Sequence, residues 1–239
     1  MDNSQVVVLR GTVGNFRRER ATGDFLLNDA DRSAAGLTAV AAALVGSGGA
    51  IGLASLAGTK EEADKVAFEL DGKKITGWLM WSPFKSGDDV EVVAELMKDG
   101  TYRAFAVLKP DDRTIALYPH CTRGRIAHYK NSMKWFTIAF SSIFMGACVI
   151  MAAIFFANHD GDFIGFVELM GGGGLLAFVI YAMIAVNISR KFMPFVKMAE
   201  GIFQALGWRE VRKVDLPARS KAEKKAGDNP GLGRLYFKY

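Results

Sequence analysis

Two cysteines in 239 residues, Cys121 beside a basic run and Cys148 within an apolar one, leave no material for a disulfide framework and suit a reducing compartment. Histidine is almost as scarce, with three copies. None of the spacings G-x-S-x-G, H-E-x-x-H, C-x-x-C or G-x-x-x-x-G-K-[ST] occurs, so the sequence offers no support for an enzyme. His120, Cys121 and His128 form one candidate ligand cluster, but metal sites want more ligands at tighter spacing, and structural roles fit these residues better. No cofactor and no metal is expected. No leader is expected either: Asp2 precedes the short apolar run Val6–Leu9 without a basic n-region, so the first membrane helix is expected to act as its own insertion signal.

Charge is missing locally rather than overall. The chain is 50% hydrophobic and 23% charged, with charges dense up to Lys134 and again after Ser189. From Trp135 to Ala157 there is none, and 23 helical residues at about 1.5 Å each give roughly 35 Å, enough for a hydrocarbon core of about 30 Å. A second span runs from Phe163 to Asn187 with Glu168 near its start. The connection Asn158–Asp162 is acidic, whereas Arg123, Arg125, Lys130 and Lys134 precede the first span and Arg190, Lys191 and Lys197 follow the second. By the positive-inside rule both termini face the cytoplasm, with Tyr129 and Trp135 as interfacial anchors. Residues 135–187 are therefore read as a transmembrane hairpin, with the net charge of +5 directed at lipid headgroups.

Within the hairpin, Gly171, Gly172, Gly173 and Gly174 interrupt a helix that each glycine weakens by about 1 kcal/mol relative to alanine. Small residues let helices approach closely, so these glycines, with Gly146 and its alanine neighbours on the first span, predict a packing surface within the hairpin or between copies. Glu168 is the intramembrane acid, about one and a half turns into its span and within reach of headgroup water.

Before the hairpin the pattern is β. Short runs at Gln5–Val13 and Gly23–Leu27 flank a charged turn at Asn15–Arg20, and residues 66–118 continue with turns at Asp71–Gly72, Ser86–Asp88 and Asp99–Gly100. Five or six strands at this spacing predict a small closed barrel of the OB or SH3-like kind, from residues 1–33 and 59–120. Trp78, Trp81, Phe84, Tyr102 and Phe105 offer stacking faces, but six basic residues against seven acidic ones between Val66 and Pro110 disfavour nucleic acid. A structural or protein-binding barrel fits better.

Residues 34–58 form an uncharged Ala/Gly-rich insert. A single crossing there would separate strands of one barrel. Glycines at its centre divide it into arms too short to span, which favours a hairpin on or in the membrane, or packing between copies. The third glycine of a G-x-G-x-x-G fingerprint falls on Ile51, so nucleotide binding is not supported. In residues 188–239, Phe195, Ala199, Ile202, Phe203 and Leu206 share a helical face that suits either the membrane interface or the barrel. Seven basic and three acidic residues from Arg209 to Lys225 predict a solvated, lipid-attracted linker, and Leu235–Tyr239 alternates like an edge strand.

The stretch VAFELDGKKITGWLMWSPFKSGDDVEVVAEL from Val66, then YRAFAVLKPDDRTIALYPHCTRG to Gly124, resembles a proteobacterial family of membrane proteins labelled type VI secretion system effectors. The segments AEGIFQALGW and LYFKY are similar too, and DRTIALYPHCTRG is the most distinctive piece. The resemblance covers most of the chain and implies a link to contact-dependent interbacterial secretion, with no catalytic residues to carry over. The expectation is an α+β membrane protein of the bacterial inner membrane, acting as effector or cognate immunity protein through lipid or protein contacts. The alternative is a membrane-anchored scaffold whose cytoplasmic barrel binds a partner. Partners under these readings are the lipid bilayer, a toxin, immunity or secretion component, and further copies of the chain.

Overall fold

The computed structural model describes residues 6–23, 61–157 and 162–239. The Ala/Gly-rich insert 34–58 and most of the acidic turn after Ala157 lie outside the described residues, as does the Gly23–Leu27 run beyond Gly23. The described residues divide into two compact units, one made of those up to His128 together with Phe192–Tyr239, the other of those between Tyr129 and Lys191.

In the first unit, strands β1 (Val6–Gly23), β2 (Glu61–Leu70), β3 (Lys73–Leu79), β4 (Asp89–Leu96) and β5 (Tyr102–Lys109) close a five-stranded barrel. The strand β1 is where the sequence reading needs correction, because Asn15–Arg20 is not a turn. It lies inside one 18-residue strand whose register shifts between Gly14 and Arg17, with Asn15 at φ 49°. A bulge of this kind bends a strand and re-aims it. The first part of the strand pairs with β4 (Val6↔Glu95 to Thr12↔Asp89), and from Val13 on it pairs with β2 (Val13↔Leu70 and Gly14↔Glu69 before the bulge, Arg17↔Ala67 to Gly23↔Glu61 after it). The charges are accommodated because Arg18 and Arg20 meet the Asp64 carboxylate across the β1–β2 ladder.

The β2–β3 hairpin turns on Asp71 and Gly72, both at positive φ (50° and 79°), as the Asp-Gly pair predicts. A parallel contact between β3 and β5 (Ile75↔Tyr102 to Gly77↔Ala104) then closes the barrel. A Cβ on Gly77 would stand 2.6 Å from the Ala104 carbonyl oxygen, so only glycine permits this approach.

Two apolar cores result. Val13, Val66, Phe68, Leu70, Ile75, Leu79, Val92 and Val107 fill the barrel. The second core lies outside it, over β5 and the short β6 (Thr114–Leu117). Because β5 is covered on both faces, its centre reads as the unbroken run Ala104–Leu108 instead of alternating.

The cover is the C-terminal segment. Helix α3 (Met193–Ala205) lays Phe195, Met198, Ala199, Ile202 and Phe203 on Phe105, Ile115 and Leu117. Of the two sites open to this apolar face, the structure shows the barrel. Arg209–Lys225, expected to be a solvated linker, is folded: a 3₁₀ turn (Val211–Lys213) leads to α4 (Leu216–Glu223), with Val214, Leu216 and Ser220 buried. Its basic residues sit on the outside, and the apolar residues between them supply the packing. Arg123 pairs with Asp215 at 3.1 Å. Strand β7 (Phe237–Lys238) then adds to β6.

The second unit contains most of α1 (Arg125–Ala157) and all of α2 (Phe163–Lys191). At 33 and 29 residues they run about 50 and 44 Å, and both are long and apolar enough to cross a membrane.

Truncating Phe203 to alanine removes a fully buried ring from the outer core. The Phe203→Ala chain should lose about 3–5 kcal/mol of stability in denaturant titrations of the full-length protein in micelles.

Candidate functional site

Helices α1 and α2 meet through aromatic rings. Phe178 stands edge-on to Phe136 and Phe140 at centroid distances of 5.5 and 5.3 Å, and Phe155 stacks on Phe166 at 4.7 Å. Near the basic end, the Ser132 and Ser189 hydroxyls approach to 3.5 Å. The outward faces, carrying Ile143, Met145, Val149, Ile150, Leu175, Leu176 and Ile180, are exposed and uncovered by any described residue. In water such an area is an unstable surface; against lipid it is the expected one.

The small residues divide within this unit. Gly174 packs against the Phe144 ring, which a Cβ there would approach to 2.6 Å. Gly146, Gly171, Gly172 and Gly173 have no atom within 4 Å of where a Cβ would stand, so among the described residues they do not form the mutual contact anticipated within the hairpin. The receiving surface for the one close glycine is a phenylalanine, not the Gly146–Ala153 stretch. Glu168 is exposed on α2.

On the barrel, the five aromatic candidates separate. Phe84 lies in the interior and Phe105 beneath α3, whereas Trp78, Trp81 and Tyr102 are half-buried. The Trp81 ring has the Arg18 guanidinium 4.9 Å and the Arg20 guanidinium 5.2 Å from its centroid. Asp64, fully buried, accepts the Ser82 N–H at 2.7 Å and Arg20 Nη1 at 3.1 Å. Arg18 Nη1 donates to the Ser82 carbonyl at 2.9 Å, and Arg20 Nη1 to the Met80 carbonyl at 3.1 Å. Two arginines and one buried carboxylate therefore clamp the chain as it leaves β3. A cleft of about 460 Å³ opens beside this clamp.

The same β3–β4 connection is pinned at its other end. Asp88 accepts Lys109 Nζ at 2.6 Å and the Lys85 N–H at 2.9 Å. Burial works to raise the Asp88 carboxyl, but the bonds from Lys109 and Lys85 and the charges of both lysines outweigh it and hold it below the usual carboxylate range.

His120, Cys121 and His128 do not converge on a site. His120, at φ 66°, is 2.7 Å from Glu61 and edge-on to Phe192 and Phe195. Cys121 is fully buried, and burial pushes its thiol well up, so it stays protonated. Among the described residues no group of three or more His, Cys, Asp or Glu side chains is placed to hold a metal ion.

The sequence reading missed Arg18, Arg20, Asp64 and Ser82. The Arg18/Arg20 spacing places both side chains on one face of a strand, a signal that only counts once Asn15–Arg20 is recognised as strand.

Two measurements test these geometries. In a Ser132→Cys/Ser189→Cys chain, mild oxidation should form a cross-link; adding Gly174→Leu should reduce its yield, and adding Gly172→Leu should leave it unchanged. Because the Asp88 carboxyl titrates lower in the folded chain than in the unfolded one, its contribution is complete above the ordinary carboxylate range and disappears as pH falls through the lowered value. Asp88→Asn should therefore cost about 1.5–3 kcal/mol at pH 7 in urea titrations, with the deficit shrinking below about pH 4.

Comparison with protein-family models, curated proteins and solved structures finds no match to this chain.

Proposed function

We propose that this chain is a bacterial inner-membrane protein associated with type VI secretion, acting as an effector or its cognate immunity protein through membrane and protein contacts and not through catalysis. The observation that carries the membrane part is the pairing of two facts. Both long apolar helices present bare hydrocarbon faces, and the chain on either side of them, up to His128 and from Phe192, folds into one compact unit. A hairpin whose two ends belong to one folded unit has both ends on one side of any bilayer it crosses. The basic flanks and the acidic turn favour the cytoplasm as that side.

The barrel fits the OB kind under this reading: β1 is shared between β2 and β4, and β3 closes on β5 in parallel. The secretion assignment rests on the resemblance carried by DRTIALYPHCTRG and its neighbours. A second reading, a membrane-anchored scaffold with a partner-binding barrel, is favoured by the open cleft and arginine-flanked Trp81 on the barrel.

Expression alone and then beside each neighbouring gene separates these roles. Growth arrest or membrane depolarisation by the chain alone supports an effector, and rescue of cells from a neighbouring toxin supports immunity. If neither occurs while a 130–190 deletion still retains a barrel partner in pull-downs, the scaffold reading replaces the secretion one.

A further inference from the structure

The cleft beside Trp81 is built from stretches distant in sequence: the β1 bulge region, the residues leaving β3, and the loop before β7. Five of its lining residues, Arg18, Trp81, Ser82, Asn229 and Tyr236, carry side-chain hydrogen-bond donors, and no lining residue is acidic. Among the described residues Arg18 bonds through Nη1 and makes no hydrogen bond through Nε or Nη2, and its side chain is 43% exposed. The Ser82 hydroxyl is buried with no partner among the described residues, in a side chain of zero exposure. Buried polar groups in native structures are otherwise almost always satisfied, and a lone one at a cleft wall asks for a ligand atom or a water.

Asn229 accepts the Gly231 N–H on its side-chain oxygen at 2.8 Å, which leaves its amide NH₂ as a donor. Burial, together with Asp228 and Asp112, pushes the Tyr236 phenol up, so it keeps its O–H at physiological pH. The Asp64 carboxylate beside Arg18 is occupied by the Ser82 N–H and by Arg20. The remaining lining is Phe16, Trp81, Pro83 and Phe84; Phe84 belongs to the barrel interior, so the Phe16 and Trp81 rings are the aromatic faces at the cleft.

We propose that this cleft binds an oxyanion, a carboxylate or a phosphate, carried on a flat apolar body. The free edge of the Arg18 guanidinium takes the anion, the fork geometry that suits both oxyanions, and the Ser82 hydroxyl donates to it. The ring of the ligand lies against Trp81 and Phe16. The volume suits a small organic molecule or the terminal residue of a peptide. Because Asn229 and Tyr236 come from the C-terminal loop, the site is complete only when the segment after α3 is docked. The proposal is independent of what the helices do and of any role in secretion.

The test is calorimetric titration of the purified full-length chain in detergent micelles with indole-3-acetate, phenyl phosphate and neutral indole. Ser82→Ala and Arg18→Gln chains in the same micelles subtract partitioning into detergent. At least one anion should bind, about tenfold or more tighter than indole, and about tenfold weaker to each variant. Whichever anion binds identifies the oxyanion. Ser82→Ala should melt no lower than the parent, since its hydroxyl has no partner among the described residues, so its loss of binding reads the site and not the fold. Binding of neither anion, equal binding of indole, or parental affinity in the Ser82→Ala chain would overturn the proposal.

Discussion

The outer face of β5 and β6 is as apolar as their inner face, and the segment after α2 is folded against it. Phe105, Ile115 and Leu117 point away from the barrel interior and would be exposed without Phe195, Ile202 and Phe203. At about 1.5–3 kcal/mol for each large apolar side chain removed from water, this contact is comparable with the whole net stability of an ordinary domain before the entropy of ordering the segment is set against it. The cover also fixes a topology. Helices α1 and α2 become an excursion from one folded unit, entered after His128 and left at Phe192, not a tail hung on a finished domain. The polar contacts Arg123–Asp215 and Arg125–Glu200, at 3.1 and 3.3 Å, tie the start of α1 to the returning chain.

Much of this was legible in the sequence where the physics is local. The charge-free spans announce themselves by length alone, and Asp71–Gly72 and Asp99–Gly100 occupy the turns their chemistry calls for. The apolar stripe of α3 could be read, but not its target, because periodicity identifies a face and not what covers it. The two larger misreadings share one cause. Asn15–Arg20 and Arg209–Lys225 are rich in charge, and charge was read as solvent exposure. In the first, arginines at alternate positions find Asp64 and Trp81 across the ladder; in the second, Val214 and Leu216 are buried while the lysines around them remain outside. Strand register decides the first and the choice of buried helix face the second, and both depend on residues far away in the chain.

The glycines of α2 carry a related lesson. The spacing of Gly171–Gly174 announces close approach, yet of these four only Gly174 meets a neighbour among the described residues, and that neighbour is the Phe144 ring. Stacked and edge-to-face phenylalanines hold α1 to α2, an arrangement in which ring geometry takes the part that small residues play in tighter helix pairs. On the barrel, the clamp of Arg18, Arg20 and Asp64 on the chain after β3 keeps Trp81 at the surface and creates the cleft beside it. A structural device of the fold and a candidate ligand site thus share residues.

The barrel and the C-terminal segment form one unit, and the central proposal is that the apolar hairpin leaves this unit, crosses the membrane and returns. Single cysteines at Lys98 on the barrel, Lys225 in the tail and Asp160 in the turn, in a chain with Cys121→Ala and Cys148→Ala, can be exposed in intact cells to a membrane-impermeant maleimide. The account expects labelling at position 160 alone, with positions 98 and 225 reacting only after the membrane is permeabilised. Labelling at one of positions 98 and 225 but not the other in intact cells would contradict it.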